Sequence, residues 1–120
     1  MNIEEFRDYC LQKLGTEETF PFDESTLVYK VLDKMYAATG LNEIDSFRVN
    51  LKCDPEKAIQ LRERYPEIIP GYHMNKKHWN TVYFDGSLSH KLILELIDHS
   101  YDLVVAGLPK KSRELLNGEK

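Results

Sequence analysis

This sequence predicts an α+β domain, a mainly antiparallel sheet with helices packed on one face, and three observations predict it. Phe47, Val49 and Leu51 alternate with Arg48, Asn50 and Lys52, the period of two of a half-buried strand. Leu92, Ile93, Leu96, Ile97 and Tyr101 recur at helical spacing and mark a long amphipathic helix. The predicted elements run α-β-β-β-α-β-α-α, with strands grouped rather than strictly alternating with helices. At 120 residues the chain is one domain by length, large enough to bury a core without metal or disulfide staples.

The first helix is announced by Asn2 as a cap, Glu5 three residues on, and Ile3, Phe6, Cys10 and Leu14 at helical spacing, with Gly15 as its stop. An acidic loop and the Phe20-Pro21-Phe22 corner follow. Leu27, Tyr29 and Val31 then alternate with Val28 and Lys30, Asp33-Lys34 can turn the chain, and residues 35–39 return as a hairpin partner. After the strand at 47–52, Asp54 caps a second helix with Pro55 at its first position, Ala58, Leu61 and Tyr65 form its stripe, and Pro66 ends it. A Pro70-Gly71 turn leads to a strand from Trp79 to Phe84, closed by Asp85-Gly86. The long helix runs from about Ser89 to Ala106, and Pro109 opens a short basic tail helix ending near Gly118.

Composition sets further bounds. The hydrophobic fraction of 42% and charged fraction of 30% are those of a soluble globular protein. No apolar run approaches the ~20 residues of a membrane span, and the N-terminus shows no signal-peptide pattern, so no membrane partner is expected and the cytoplasm is the expected location. Cys10 and Cys53 lie among apolar neighbours in unrelated segments and read as buried thiols. The net charge of −4 is uneven. Residues 1–25 hold seven acids against Arg7 and Lys13, whereas residues 71–91 set three lysines and three histidines against Asp85 alone. The tail adds Lys110, Lys111 and Arg113. Such a field can favour anions at one face, although an acidic chain lacks the overall basic charge of a strong non-specific nucleic-acid binder.

The segment Gly71-Tyr72-His73-Met74-Asn75-Lys76-Lys77-His78-Trp79-Asn80-Thr81 has no helical or strand period, yet it concentrates hydrogen-bonding and stacking side chains and the only tryptophan. As a nucleic-acid contact, Lys76 and Lys77 would neutralise phosphates, His73 and Asn75 would bond phosphate or base edges, and Trp79 would stack on a base. His78 belongs to the same candidate surface. Arg48, Asn50 and Lys52 on the polar strand face, with Lys110 and Lys111 of the tail, would extend it if the fold brings them together. As structure, the same segment would satisfy an irregular backbone and put Trp79 in the core. As a docking loop, it would take a protein partner or a small anion.

Several motifs taken together resemble the MmcQ/YjbR family. They are Val49 to Pro55, Leu61-Arg62-Glu63, Pro70 to Lys76, His78 to Val82, Asp85 to Leu88, Ser100-Tyr101 and Leu108 to Lys111, in that order and spacing. The resemblance extends from about Met1 to Arg113, with the loop at Asn42 to Ser46 and the tail after Lys111 individual to this chain. It implies a small bacterial protein with a frataxin-like (CyaY-like) α+β fold, also described as a double wing. It also implies DNA as the partner, with no family-wide catalytic activity.

Chemistry beyond binding finds little support. His73 and His78 are five apart, a spacing that neither helix nor strand puts on one face, and zinc needs further ligands. Glu4, Glu5 and Asp8 with Glu17 and Glu18 are hard oxygen donors suited to weak iron binding, but acids in a first helical turn also complement the helix dipole. No phosphate loop, dinucleotide fingerprint, serine elbow or metalloprotease motif is present, so no catalytic residue and no cofactor is expected. The expected activity is binding: DNA at a basic surface around Lys76 and Lys77, or else a protein partner or small anionic ligand at the His73–Trp79 segment.

Overall fold

A computed structural model describes residues 1–42, 46–72 and 74–118 of the protein. Among these residues four helices and six strands follow in the order α1 (Ile3–Leu11), β1 (Thr16–Thr19), β2 (Thr26–Val31), β3 (Lys34–Gly40), β4 (Arg48–Lys52), α2 (Pro55–Arg64), β5 (Ile68–Pro70), β6 (Trp79–Tyr83), α3 (His90–Ala106) and α4 (Lys110–Gly118). The strands form one antiparallel sheet in the order β1-β2-β3-β4-β6-β5. The α+β class stands as the sequence predicts.

Two strands are added to those expected, and both are edges. β1 occupies the acidic loop, pairing Glu17 with Lys30 and Glu18 with Tyr29. β5 occupies the approach to Pro70, pairing Ile68 with Val82. An edge strand needs backbone bonds on one side only, so a polar TEET run or three residues ending in proline suffices, and neither displays the apolar alternation of a central strand. α1 is also shorter than its apolar spacing suggests. It ends at Leu11 with Gln12 as C-cap, and Gly15 adopts φ 73° beyond it. Leu116 of α4 lies over Gly15, where a Cβ would sit 2.5 Å from Leu116 Cδ1. The hairpin turn sits one residue earlier than expected. Leu32 and Asp33, with φ of 45° and 70°, join Val31 to Lys34 in the primed geometry that matches strand twist.

Helix starts follow sequence chemistry closely. Asn2 and Glu5 exchange a reciprocal capping box, Asp54 Oδ2 accepts from Lys57 N, and Ser89 Oγ accepts from Leu92 N. The helices cover one face of the sheet: α1 packs on β1, α2 on β5, and α3 across β3 and β4 with its side against β2. Phe6 anchors α1, its ring meeting Tyr29, Phe47 and Phe84 edge-on at 5.4, 5.8 and 5.5 Å. Ile93, Leu96, Ile97 and Val104 of α3 bury against Tyr36, Ala37, Val49 and Leu51.

Ser100 supplies a polar pin within this core. Its hydroxyl donates to Tyr36 O at 2.5 Å and accepts from Lys52 N at 2.8 Å. Ala37 pairs with Leu51, so Tyr36 and Lys52 would be the next rung of the ladder. The serine stands in for that rung and locks α3 to both strands. Tyr101 continues the device, packing edge-on against Tyr36 at 5.3 Å and donating to Leu14 O at 2.5 Å.

Candidate functional site

Register decides what the other face of the sheet presents. Val28 pairs with Ala38, Ala38 with Asn50, Asn50 with Thr81 and Thr81 with Ile69, so these side chains form one row on the face away from the helices. The flanking rows carry Arg48 opposite Tyr83, Lys52 opposite Trp79, and Lys30 opposite both Glu17 and Met35. The charged strand residues of this open face are therefore Lys30, Arg48 and Lys52 against Glu17, a balance of +2 on a chain whose net charge is −4.

A concavity of about 660 Å³ lies over the middle of that face. Its floor is Ala38, Asn50 and Thr81; Arg48 and Met35 lie beside them, and Phe22, Tyr72 and Met74 form walls contributed by loops. Phe22 is 70% exposed and Tyr72 54% exposed, an unusual outlay of aromatic surface to water. The Phe22 loop is tied down by Asp23, whose Oδ1 accepts from Ser25 N at 2.9 Å and Thr26 N at 2.7 Å. Tyr72 is placed by a relay: its backbone N–H donates to Thr81 Oγ1 at 2.9 Å, and the Thr81 hydroxyl donates to Asn50 Oδ1. Arg48 is braced over the Tyr72 ring, 5.5 Å from its centroid, with Nη1 3.4 Å from the Tyr83 hydroxyl.

Gly71 makes this closeness achievable. Its N–H donates to Trp79 O at 2.9 Å, and a Cβ there would meet Trp79 Cβ at 2.8 Å. The turn that follows is pinned from below by Arg62 of α2. Arg62 Nε donates to Asn80 Oδ1 at 2.7 Å, while Nη2 donates to Trp79 O at 3.2 Å and to Lys76 O. Asn75 closes the turn locally, its Oδ1 accepting from Lys77 N at 2.9 Å and its carbonyl from Trp79 N at 3.0 Å.

The structure separates the anticipated residues into groups. Arg48 and Asn50 belong to the concavity, and Lys52 and Trp79 are cross-strand partners in the row beside it. Trp79 is half-buried, intermediate between the core and stacking alternatives. Lys76 and Lys77 are exposed on the turn that enters β6, and Asn75 commits its side-chain oxygen to shaping that turn. His78 is half-buried and its carbonyl accepts from Cys53 N at 2.8 Å. His73 lies outside the described residues. Lys110 and Lys111 open α4, which docks through Leu116 beside Gly15 on the helix-covered side, near the opposite end of the strand order from β6.

Phe22, Tyr72, Thr81 and Arg62 complete the site; none of them has a role there on sequence grounds, although Tyr72 and Thr81 lie within the Gly71–Thr81 segment and Arg62 within the Leu61-Arg62-Glu63 motif. Alternation along β6 could have flagged Thr81; the Phe22 and Tyr72 loops carry no period to read. The two thiols stand apart from it. Burial pushes the Cys10 thiol up to about 12 and Cys53 up to about 11, so neither supplies thiolate near neutral pH. Glu18 is occupied by Arg7 and by the Tyr29 hydroxyl, and no cluster of three metal-ligating side chains occurs among the described residues. No described helix is long and apolar enough to cross a membrane.

The motifs and the fold meet in one family. The chain belongs to the YjbR family, whose model matches residues 11–103. It is 39% identical over 117 residues to protein YjbR of Escherichia coli strain K12, covering 97% of this chain and 98% of that one. Protein YyaQ of Bacillus subtilis strain 168 is 30% identical over 115 residues, covering 83% and 95% of the two chains. Among solved structures, a Deinococcus radiodurans protein of the DUF419 domain superposes with a TM-score of 0.89 at 44% identity, over 97% of this chain and 88% of that chain. A Pseudomonas syringae protein follows at 0.74 and 34%, over 86% and 98%.

Proposed function

We propose that this protein acts by binding, and that its ligand is DNA held against the open face of the sheet and the turn before β6. The observation that carries this reading is the +2 balance of Lys30, Arg48, Lys52 and Glu17 on the open face of a −4 chain. Cations attract phosphates, and Trp79, Tyr83 and Tyr72 set among them are the side chains on which bases stack. Lys76 and Lys77 continue the cationic edge beyond Lys52, on a turn that Arg62 holds rigid. The buried, protonated thiols support binding over covalent chemistry.

The test is fluorescence anisotropy of labelled mixed-sequence DNA at low and moderate salt, with wild type and the charge-reversed Lys52→Glu/Lys76→Glu/Lys77→Glu. Saturable binding should weaken with salt, and the salt slope should flatten by about one for each phosphate that a reversed lysine no longer neutralises. Absence of binding at low salt, or unchanged binding by the triple variant, would refute the reading. A small anionic ligand is the second reading, favoured by the concavity itself. Its volume of about 660 Å³ lies within the ~300–1,000 Å³ of small-molecule sites.

A further inference from the structure

We infer that the concavity seats a single unpaired base, so that the protein prefers single-stranded DNA to duplex. This rests on the DNA reading above and deepens it. A flat cationic face would suit a duplex backbone, but here Arg48 lines a hollow with exposed aromatic walls, Phe22 and Tyr72. An aromatic wall stabilises a base only through the base's ring face, and in a duplex that face is already stacked on its neighbours. Extruding a base from a duplex costs a few kcal/mol, a cost a single strand does not incur.

The hollow has the parts such a seat requires. Met35 and Met74 supply adaptable apolar surface beside the aromatic walls. Arg48, braced by Tyr72 and Tyr83, sets a positive charge at the mouth for the adjoining phosphate. Asn50 is held in one orientation by Thr81 and the Tyr72 carbonyl, so its amide presents a fixed edge to the base. One amide reads little sequence. Affinity should come from stacking and charge, and the site should tolerate every base.

Three probes test this by anisotropy: a labelled mixed-sequence strand of about 12 nucleotides, the same strand with central abasic positions, and its duplex. Each is titrated with wild type, Phe22→Ala and Phe22→Tyr. Phe22 is 70% exposed, so both variants should fold, which circular dichroism checks. The strand should bind at least about tenfold tighter than the duplex. Abasic substitution and Phe22→Ala should each weaken strand binding by about tenfold, and Phe22→Tyr should retain it. If strand and duplex bind equally and Phe22→Ala changes nothing, the base seat is refuted while DNA binding stands on its cationic edge. If no DNA binds in any form, both readings fall.

Discussion

Arg62→Ala should loosen the site from beneath without touching the open face. The guanidinium bonds the Asn80 side chain and the carbonyls of Lys76 and Trp79, joining α2 to the turn that precedes β6. The three acceptors do not weigh equally. Trp79 O keeps the Gly71 N–H as a second donor, and Lys76 O lies at the exposed turn where water takes the place of the guanidinium. Asn80 is different, because it is 2% exposed and its Oδ1 loses a charged donor. An orphaned buried acceptor costs about 1–3 kcal/mol, and with the charged bond itself the expected destabilisation is about 2–3 kcal/mol. For a domain this size the melting temperature should fall by roughly 10 °C.

Urea unfolding followed by far-UV circular dichroism measures the loss, with a lowered midpoint at unchanged slope. Trp79 is the chain's only tryptophan and sits on the affected turn, so its native emission should shift to the red. Arg62→Lys should recover part of the loss, since an ammonium can still donate to Asn80 Oδ1 but cannot reproduce a planar fork spread over three acceptors. A loss below about 0.5 kcal/mol with unchanged emission would show that the turn holds itself through Asn75 and does not depend on α2.

Two further outcomes follow from the helix-covered face. Ser100→Ala deletes the hydroxyl that substitutes for the Tyr36–Lys52 rung, leaving a buried N–H and carbonyl unpaired, and should cost about 1–3 kcal/mol by urea melts. A loss within error of zero would mean the strands close the rung themselves. His99 Nε2 accepts from Asp54 N at 3.1 Å, and desolvation, with Lys57 adding to it, holds the His99 pKa below 6.5. The unfolded chain then takes up a proton that the folded chain resists. This stability is fully present above pH 6.5 and is lost as pH falls through the folded value. Urea midpoints of wild type should drop more between about pH 7.5 and 5.5 than those of His99→Gln, and equal drops would remove His99 from the pH dependence.

Sequence by itself determined the strong elements and their faces. Alternation from Phe47 to Lys52 set which side of β4 faces helices and which faces the open site, because a pleat sends neighbouring side chains to opposite sides. Capping chemistry at Asn2, Asp54 and Ser89 located three helix starts, because a side-chain oxygen must meet backbone N–H groups orphaned there. The edge strands β1 and β5 were not legible, since a polar run and a three-residue strand carry no apolar alternation and take their order from the neighbouring strand.

The same distinction runs through the site. Residue types in the Gly71–Thr81 segment marked a special loop, but only tertiary structure shows that Gly71 and Asn75 shape it and that Arg62, from another helix, braces it. Phe22, Tyr72 and Arg48 meet over one hollow only because the sheet order sets β2, β3, β4 and β6 side by side. Local pattern records how a segment satisfies its own backbone and buries its own stripe. Convergence of distant segments depends on strand register and loop path, which no local period encodes.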